Sequence, residues 1–227
     1  MEGFYMATFE IVEQEKLKMI KATINNETVR AEAGALHYMQ GRIELKTKMP
    51  SAAGFLKSMV TAESIFRPTY TGVGEIFFGP PIFGEYMILD IEEPWVLDRG
   101  AYVCSDESVE VGAYRNKAVT ALLGGEGWFQ TKVEGKGKVV LQAQGPIHAI
   151  DLVNDVLTVD GNFAVARQEK LEFSVRKAAK GLFSAAASGE GIVNVIEGTG
   201  RVYVAPVPNA YVSLTHHILA SMVIPSA

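Results

Sequence analysis

Cysteine is almost missing from this chain: Cys104 stands alone among 227 residues, so no internal disulfide can form. That fits a reducing compartment. Histidine is also scarce, with four in all, and His37 and His148 stand at no ligand-like spacing. His216-His217 is an adjacent pair, and neighbours on a strand point to opposite faces, so a zinc pattern is excluded. Basic residues are in deficit, 21 Lys+Arg against 26 Asp+Glu for a formal net charge of -5, which is a poor footprint for nucleic acid. No stretch approaches the roughly 18–20 apolar residues of a membrane span. The start, Met1-Glu2-Gly3-Phe4, carries an acid where a signal peptide needs base. The expectation is a cytoplasmic protein with no integral membrane segment. Asn26-Glu27-Thr28 is then a glycosylation sequon in letters only.

Apolar residues, by contrast, are plentiful. A chain that is 48% hydrophobic and 21% charged is not disordered. At this length folding buries about 70–75% of the unfolded surface, so no metal or disulfide is required to hold it together.

The glycines are organised. Gly72-Val73-Gly74-Glu75-Ile76-Phe77 recurs as Gly135-Lys136-Gly137-Lys138-Val139-Val140 and as Gly198-Thr199-Gly200-Arg201-Val202-Tyr203, both times after 63 residues. Upstream, Ala62-Glu63-Ser64-Ile65-Phe66 matches Gly125-Glu126-Gly127-Trp128-Phe129 and Gly189-Glu190-Gly191-Ile192-Val193. Ala31-Glu32-Ala33-Gly34, Leu97-Asp98-Arg99-Gly100 and Val159-Asp160-Gly161-Asn162 open the units, and Gly79-Pro80, Gly145-Pro146 and Ala205-Pro206 close them. Landmarks in the same order, repeated three times, read as a triplication over about 29–80, 95–146 and 156–206. Residues 1–28 are a lead-in hairpin and 207–227 a tail.

Within each unit the period is mainly two. Phe9–Val12, Leu17–Ile20, Gly41–Thr47, Val109–Val111 and Lys170–Val175 alternate apolar and polar, as half-buried strands do. The glycines read as tight turns, and each closing proline as a strand terminator. One segment per unit departs from this pattern: Leu56, Met59, Val60; Val119, Leu122, Leu123; and Phe183, Ala186, Ala187 follow helical spacing. The fold expectation is all-β, with three units arranged about a pseudo-threefold axis and one short helical segment in each.

Gly34-Ala35-Leu36-His37-Tyr38-Met39, Glu63-Ser64-Ile65-Phe66, Gly125-Glu126-Gly127-Trp128-Phe129 and Gly189-Glu190-Gly191 together resemble the altered-inheritance-of-mitochondria protein 24 family, over residues 8 to 205. The resemblance implies a fold similar to the trp RNA-binding attenuation protein, with three short double-stranded β-helices fused into one pseudo-trimeric body. It implies no catalytic apparatus, since the family has no established biochemical activity. Its mitochondrial relatives are associated with inner-membrane organisation. Fold likeness to an RNA binder is an analogy only.

Candidate chemistry is thin. Glu63, Glu126 and Glu190 recur in every unit and could bind a hard cation if they converged on the axis. Recurrence favours a structural task instead, because a site needs different residues doing different things. No nucleophile elbow or P-loop is present, and the Gly-x-Gly pairs lack the third glycine of a dinucleotide fingerprint. Cys104 reads as a small buried thiol. Lys132, Lys136 and Lys138, and Arg167, Lys170, Arg176, Lys177 and Lys180, are basic groups read as solvated strand edges. Phe77–Phe83 and Leu214–Pro225 are apolar stretches, weighed as core against contact surface.

The functional expectation is a non-enzymatic structural or interaction scaffold working through protein contacts or self-association, without catalytic residues, metal or cofactor, and without nucleic acid. The alternative is a small-molecule or metal-binding module with a site between repeats or on the axis.

Overall fold

The computed structural model describes residues 6–15, 17–47, 67–79, 84–116, 129–160, 163–177 and 192–207, with residue 214. Those residues form fourteen strands and no helix beyond isolated helical residues. The helical segments expected around residues 56–60, 119–123 and 183–187 lie outside them, as do Glu63, Glu126, Glu190 and His216-His217.

Two antiparallel sheets of seven strands make up the body. The first has the order β3 (Leu36–Lys46), β4 (Thr69–Phe78), β2 (Leu17–Ala31), β7 (Tyr102–Asp106), β10 (Gly137–Ala143) and β5 (Glu85–Ile91), with β1 (Thr8–Gln14) also on β2. The second has the order β11 (His148–Asp160), β14 (Ile192–Val204), β12 (Ala164–Gln168), β6 (Trp95–Leu97), β9 (Phe129–Gly135) and β8 (Val109–Arg115), with β13 (Glu172–Lys177) also on β14. β1 and β2 form the expected lead-in hairpin, with Thr8 opposite Thr23 and Gln14 opposite Leu17.

Alternation along the strands becomes burial. Ile20, Ala22 and Ile24 of β2 turn inward with Tyr70, Ile76 and Phe78 of β4, together with Val103, Cys104 and Val140. A second cluster joins the sheets: Leu89, Ile91, Tyr102, Val139 and Leu141 from the first meet Trp95, Leu97, Val133, Ala166 and Tyr203 from the second. β10 therefore serves both cores, Val140 on one face and Val139 and Leu141 on the other. A strand buried on both faces cannot alternate apolar with polar. Leu152, Leu171, Ile196, Val202 and Val204 form a third cluster within the second sheet. Each fully buried large side chain contributes about 1.5–3 kcal/mol by its removal from water.

The Gly-x-Gly pairs are not turns, contrary to expectation. Gly72 and Gly74 lie inside β4, and Gly198 and Gly200 inside β14; only the middle pair brackets a break, at Lys136 between β9 and β10. Their role is close approach. Gly74 faces Gly41 across β3 and β4, and a Cβ on Gly41 would stand 2.7 Å from the Gly74 Cα. Along the two in-strand Gly-x-Gly pairs the partner strand bulges, between Asn25 and Thr28 of β2 opposite Gly72 and between Leu152 and Asp155 of β11 opposite Thr199. Each bulge holds an asparagine with positive φ, Asn26 at 72° and Asn154 at 50°. Gly34 and Gly100 do make turns, at φ 83° and 79°.

Main-chain bonds outside the ladders also recur. The carbonyls of Ala35, Ala101 and Phe163 accept from the N–H groups of Gly79, Gln142 and Ala205 at 2.8–2.9 Å. The N–H groups of Glu32 and Asp98 donate to Val103 and Val165, each at 2.8 Å. The opening acid of one stretch is thereby tied to the strand that begins the next.

Candidate functional site

Three features differ from an ordinary packed sheet. The first is a pair of long sheet edges, at the ends opposite β5 and β8. β3 pairs only with β4, and β11 only with β14, among the described residues. Nine of the eleven residues of β3 are exposed, and nine of the thirteen of β11. Apolar side chains project from both: Tyr38, Met39 and Leu45 from β3, and Val153 and Val156 from β11. Tyr38 stacks on Phe77 at 4.2 Å, which holds it upright on the sheet.

The second is a cleft of about 480 Å³ where β5 of one sheet meets β11 and β14 of the other. Its rim carries Asp90, Glu92, Glu93, Asp151 and Arg201, over Trp95 and Tyr203. Those rings stack at 5.3 Å and both are buried. The rim charges are engaged with one another. Arg201 donates two bonds to Asp151, at 2.6 and 2.9 Å, and holds that carboxyl below its usual range. Gln168 accepts from the Arg201 N–H at 2.7 Å and donates to Glu93, which also meets Lys170 at 3.1 Å.

The third is a polar chain on one face of the second sheet. Asp98 follows β6 and bonds to the Gln130 side chain on β9. Burial pushes the Asp98 carboxyl up to about 6, against the stabilising bonds from the Arg99 N–H and Gln130. Gln130 stands opposite Tyr114 of β8, and its Oε1 is buried without a hydrogen-bond partner. Arg167, near the end of β12 and 3% exposed, also reaches the Tyr114 ring. Its Cζ is 5.4 Å from the Tyr114 ring centroid and 4.9 Å from that of Phe173. Nη1 donates to the Leu171 carbonyl at 3.3 Å, while Nε and Nη2 have no partner. Desolvation pushes the guanidinium's pKa down, and Tyr114 and Glu169 push it back up.

This corrects the reading of Arg167 as a solvated edge residue. β12 runs between β14 and β6 and not at an edge, and the Tyr114 and Phe173 rings lie over the Arg167 guanidinium. The other basic groups are differently placed. Lys132 pairs with Glu134 at 2.8 Å and Glu169 at 3.2 Å, and Lys136 with Glu92 at 2.9 Å. Arg176 donates to Thr158 at 3.3 Å.

Other sequence candidates remain scattered. Cys104 is fully buried, and desolvation, with Asp106 nearby, raises its thiol pKa well above the usual value. His37 packs beside Gly79, whereas His148 opens β11, so they lie in different sheets. Phe77 and Phe78 are core residues, while Leu214 is exposed; residues 80–83 and 215–225 lie outside the described part. No group of His, Cys, Asp or Glu among the described residues could hold a metal ion, and no helix among them is long and apolar enough to cross a membrane.

The polar chain itself had one sequence signal. Arg67 and Gln130 each lie four residues after a repeated glutamate, and Glu32 and Asp98 each open a unit. In the fold Glu32 meets Arg67 at 3.4 Å, as Asp98 meets Gln130.

Known proteins agree with this architecture. A crystal structure of a Streptococcus pyogenes protein superposes with a TM-score of 0.75, covering 94% of this chain and 99% of that one at 23% identity. An uncharacterised protein of Streptococcus pyogenes serotype M6 is 27% identical over 189 residues, spanning 78% of this chain and 76% of its own. The model of the family described as Mitochondrial biogenesis AIM24 matches residues 9–207, and the chain belongs to that family.

Proposed function

We propose that this protein is a non-enzymatic scaffold that acts by strand addition at its sheet edges, with a second copy of the same chain as its partner. One observation carries the reading: β3 and β11 end their sheets as long strands whose residues are mostly exposed, with only Leu36 and Ile43 of β3 and Ile150, Leu152, Leu157 and Val159 of β11 turned to the core. A strand edge presents unpaired N–H and C=O groups, and proteins that must stay apart shorten, charge or cover it. Here the edges are long, and they carry Tyr38, Met39, Leu45, Val153 and Val156 instead. Their charges are complementary. β11 bears Asp151, Asp155 and Asp160 with no Lys or Arg, whereas β3 bears Arg42 and Lys46 against Glu44 alone. Joining β3 of one copy to β11 of the next is a head-to-tail contact, which closes into a ring or continues as a filament.

The finer architecture in this reading is three fused units about a pseudo-threefold axis, each a short double-stranded β-helix. Support comes from the 63-residue spacing, from the three equivalent main-chain bonds and from the bulges in β2 and β11 alongside the Gly72–Gly74 and Gly198–Gly200 segments. Nucleic acid is not among the partners assigned, because Lys132, Lys136 and Lys170 each already meet a carboxylate.

The test is light scattering after size exclusion over a hundredfold range of concentration. Wild type is expected to assemble, and Leu45→Lys with Val153→Lys to run as a monomer with unchanged melting. A wild-type monomer at every concentration overturns the scaffold.

A second reading has its own observation, the cleft between the sheets. A small molecule there would sit against Leu89 and Leu152, with the acidic rim selecting a cationic group. Binding of a cationic guest abolished by Asp90→Lys but untouched by the edge variants would favour it.

A further inference from the structure

Two guanidiniums among the described residues, half-buried Arg67 and buried Arg167, are built alike, with one difference. Arg67 lies 5.4 Å from the Tyr102 ring and Arg167 lies 5.4 Å from the Tyr114 ring. Arg67 Nε makes no hydrogen bond, but it lies 3.4 Å from the Glu32 carboxylate, which neutralises the charge. Arg167 meets no carboxylate among the described residues, although it is the more deeply buried of the two.

The identity of the unpartnered atoms is informative. Nη1 is engaged by the Leu171 carbonyl, leaving Nε and Nη2. Those two nitrogens donate in parallel along one side of the guanidinium plane, the fork that matches two oxygens of a carboxylate or phosphate. The Tyr114 and Phe173 rings lie against the guanidinium, fixing the plane and therefore the direction of the fork. A charge removed from water without a counter-ion is among the most costly arrangements a fold can hold. Surface arginines avoid that cost by solvation, but Arg167 is only 3% exposed. Tyr114 and Gln130 continue the polar surface, and Gln130 Oε1, also buried without a partner, offers an acceptor for a donor on the same guest.

We propose that Arg167 is the anchor of a binding site for a small oxyanion, a carboxylate or phosphate held side-on by Nε and Nη2. The site is separate from the strand edges and from the cleft, so it stands whether or not the chain assembles.

Thermal melting of the full chain decides it. Wild type is first exchanged into a buffer free of both anions, then titrated with inorganic phosphate, with succinate, and with sodium chloride at matched ionic strength. A genuine site raises the melting temperature by about 5–10 °C at a hundredfold excess over its dissociation constant. Phosphate acting alone identifies a phosphate site, and succinate alone a carboxylate site. Arg167→Lys keeps the charge but loses the parallel fork, so its apparent affinity should fall at least tenfold. Arg167→Met should lose the anion response entirely and melt at or above wild type in the anion-free buffer. The proposal fails if neither oxyanion moves wild type beyond chloride, or if Arg167→Met responds as wild type does. A Met variant that does not fold, beside a wild type that ignores both anions, fails it equally, because the counter-ion then comes from the chain. Should only the Met variant fail to fold while wild type responds, the Lys variant decides.

Discussion

Asp98 gives the sharpest test of the second sheet's polar face. Its carboxyl is raised from 3.8 to about 6, chiefly by desolvation. The folded chain therefore holds that proton more tightly than the unfolded chain does. The contribution to stability is fully present below about pH 3.8 and is lost as the pH rises through about 6. A displacement of this size corresponds to about 3 kcal/mol of penalty on the native anion at neutral pH. Asp98 keeps partial exposure, so about half of that, roughly 1.5 kcal/mol, is the working figure. Asp98→Asn removes the charge and retains the shape. Its amide can also pair with the Gln130 amide, whose Oε1 lacks a donor. At pH 7.5 the variant should melt about 3–6 °C above wild type, and the difference should close by pH 4. Melting curves of both proteins from pH 4 to 8, at constant ionic strength, provide the measurement. A variant less stable than wild type at pH 7.5, or a gain that does not change with pH, would refute the desolvation argument.

Three further outcomes follow from the same geometry. Gly74→Ala places a methyl against the Gln40 carbonyl and Gly41 Cα at a φ of 152°, so it should cost about 3 kcal/mol or more in urea unfolding, whereas Gly112→Ala, with nothing within 4 Å, should cost under about 1. Cys104 should ignore a water-soluble thiol reagent at pH 8 and react at full stoichiometry in denaturant, since burial both shields it and raises its pKa. Cutting Phe78, fully buried beside Tyr70, to alanine should lower stability by about 3–5 kcal/mol without altering the oligomeric state.

Strand positions were legible wherever one face is wet. The alternation at Phe9–Val12, Leu17–Ile20 and Lys170–Val175 lies on β1, β2 and β13 or the approach to it, because solvent on one side leaves polar residues at every second position. The same reasoning is silent about β10, whose Val139, Val140 and Leu141 serve two cores in succession. It also mistook the Gly-x-Gly pairs for turns. A glycine needed for a turn and one needed for backbone approach look the same in one dimension, and only the opposing Gly41 distinguishes them. Arg167 was misread for a related reason. An arginine leading into Gln168, Glu169 and Lys170 suggests an edge, and nothing local reveals that β12 will be flanked on both sides.

The distribution of these errors bears on where function resides. On the triplicate reading, corresponding positions should do corresponding work, and the scaffold obeys: Ala35, Ala101 and Phe163 accept equivalent main-chain bonds. The polar positions do not obey. Where one stretch has Glu32 with Arg67, the next has Asp98 with Gln130. The first is a charge pair that neutralises itself, while the second leaves a carboxyl with a raised pKa and an amide oxygen without a donor. Arg167 then adds a buried cation, in contact with the Tyr114 ring, in the sheet that already holds Asp98 and Gln130. Structural demands explain features that are alike in every unit, since each unit must pack the same way. They do not explain a guanidinium without a carboxylate partner and an unpaired amide oxygen that both neighbour one tyrosine. That asymmetry makes the face between Asp98 and Arg167 the place to look for selective binding, and the symmetric glutamates Glu63, Glu126 and Glu190 the weaker choice.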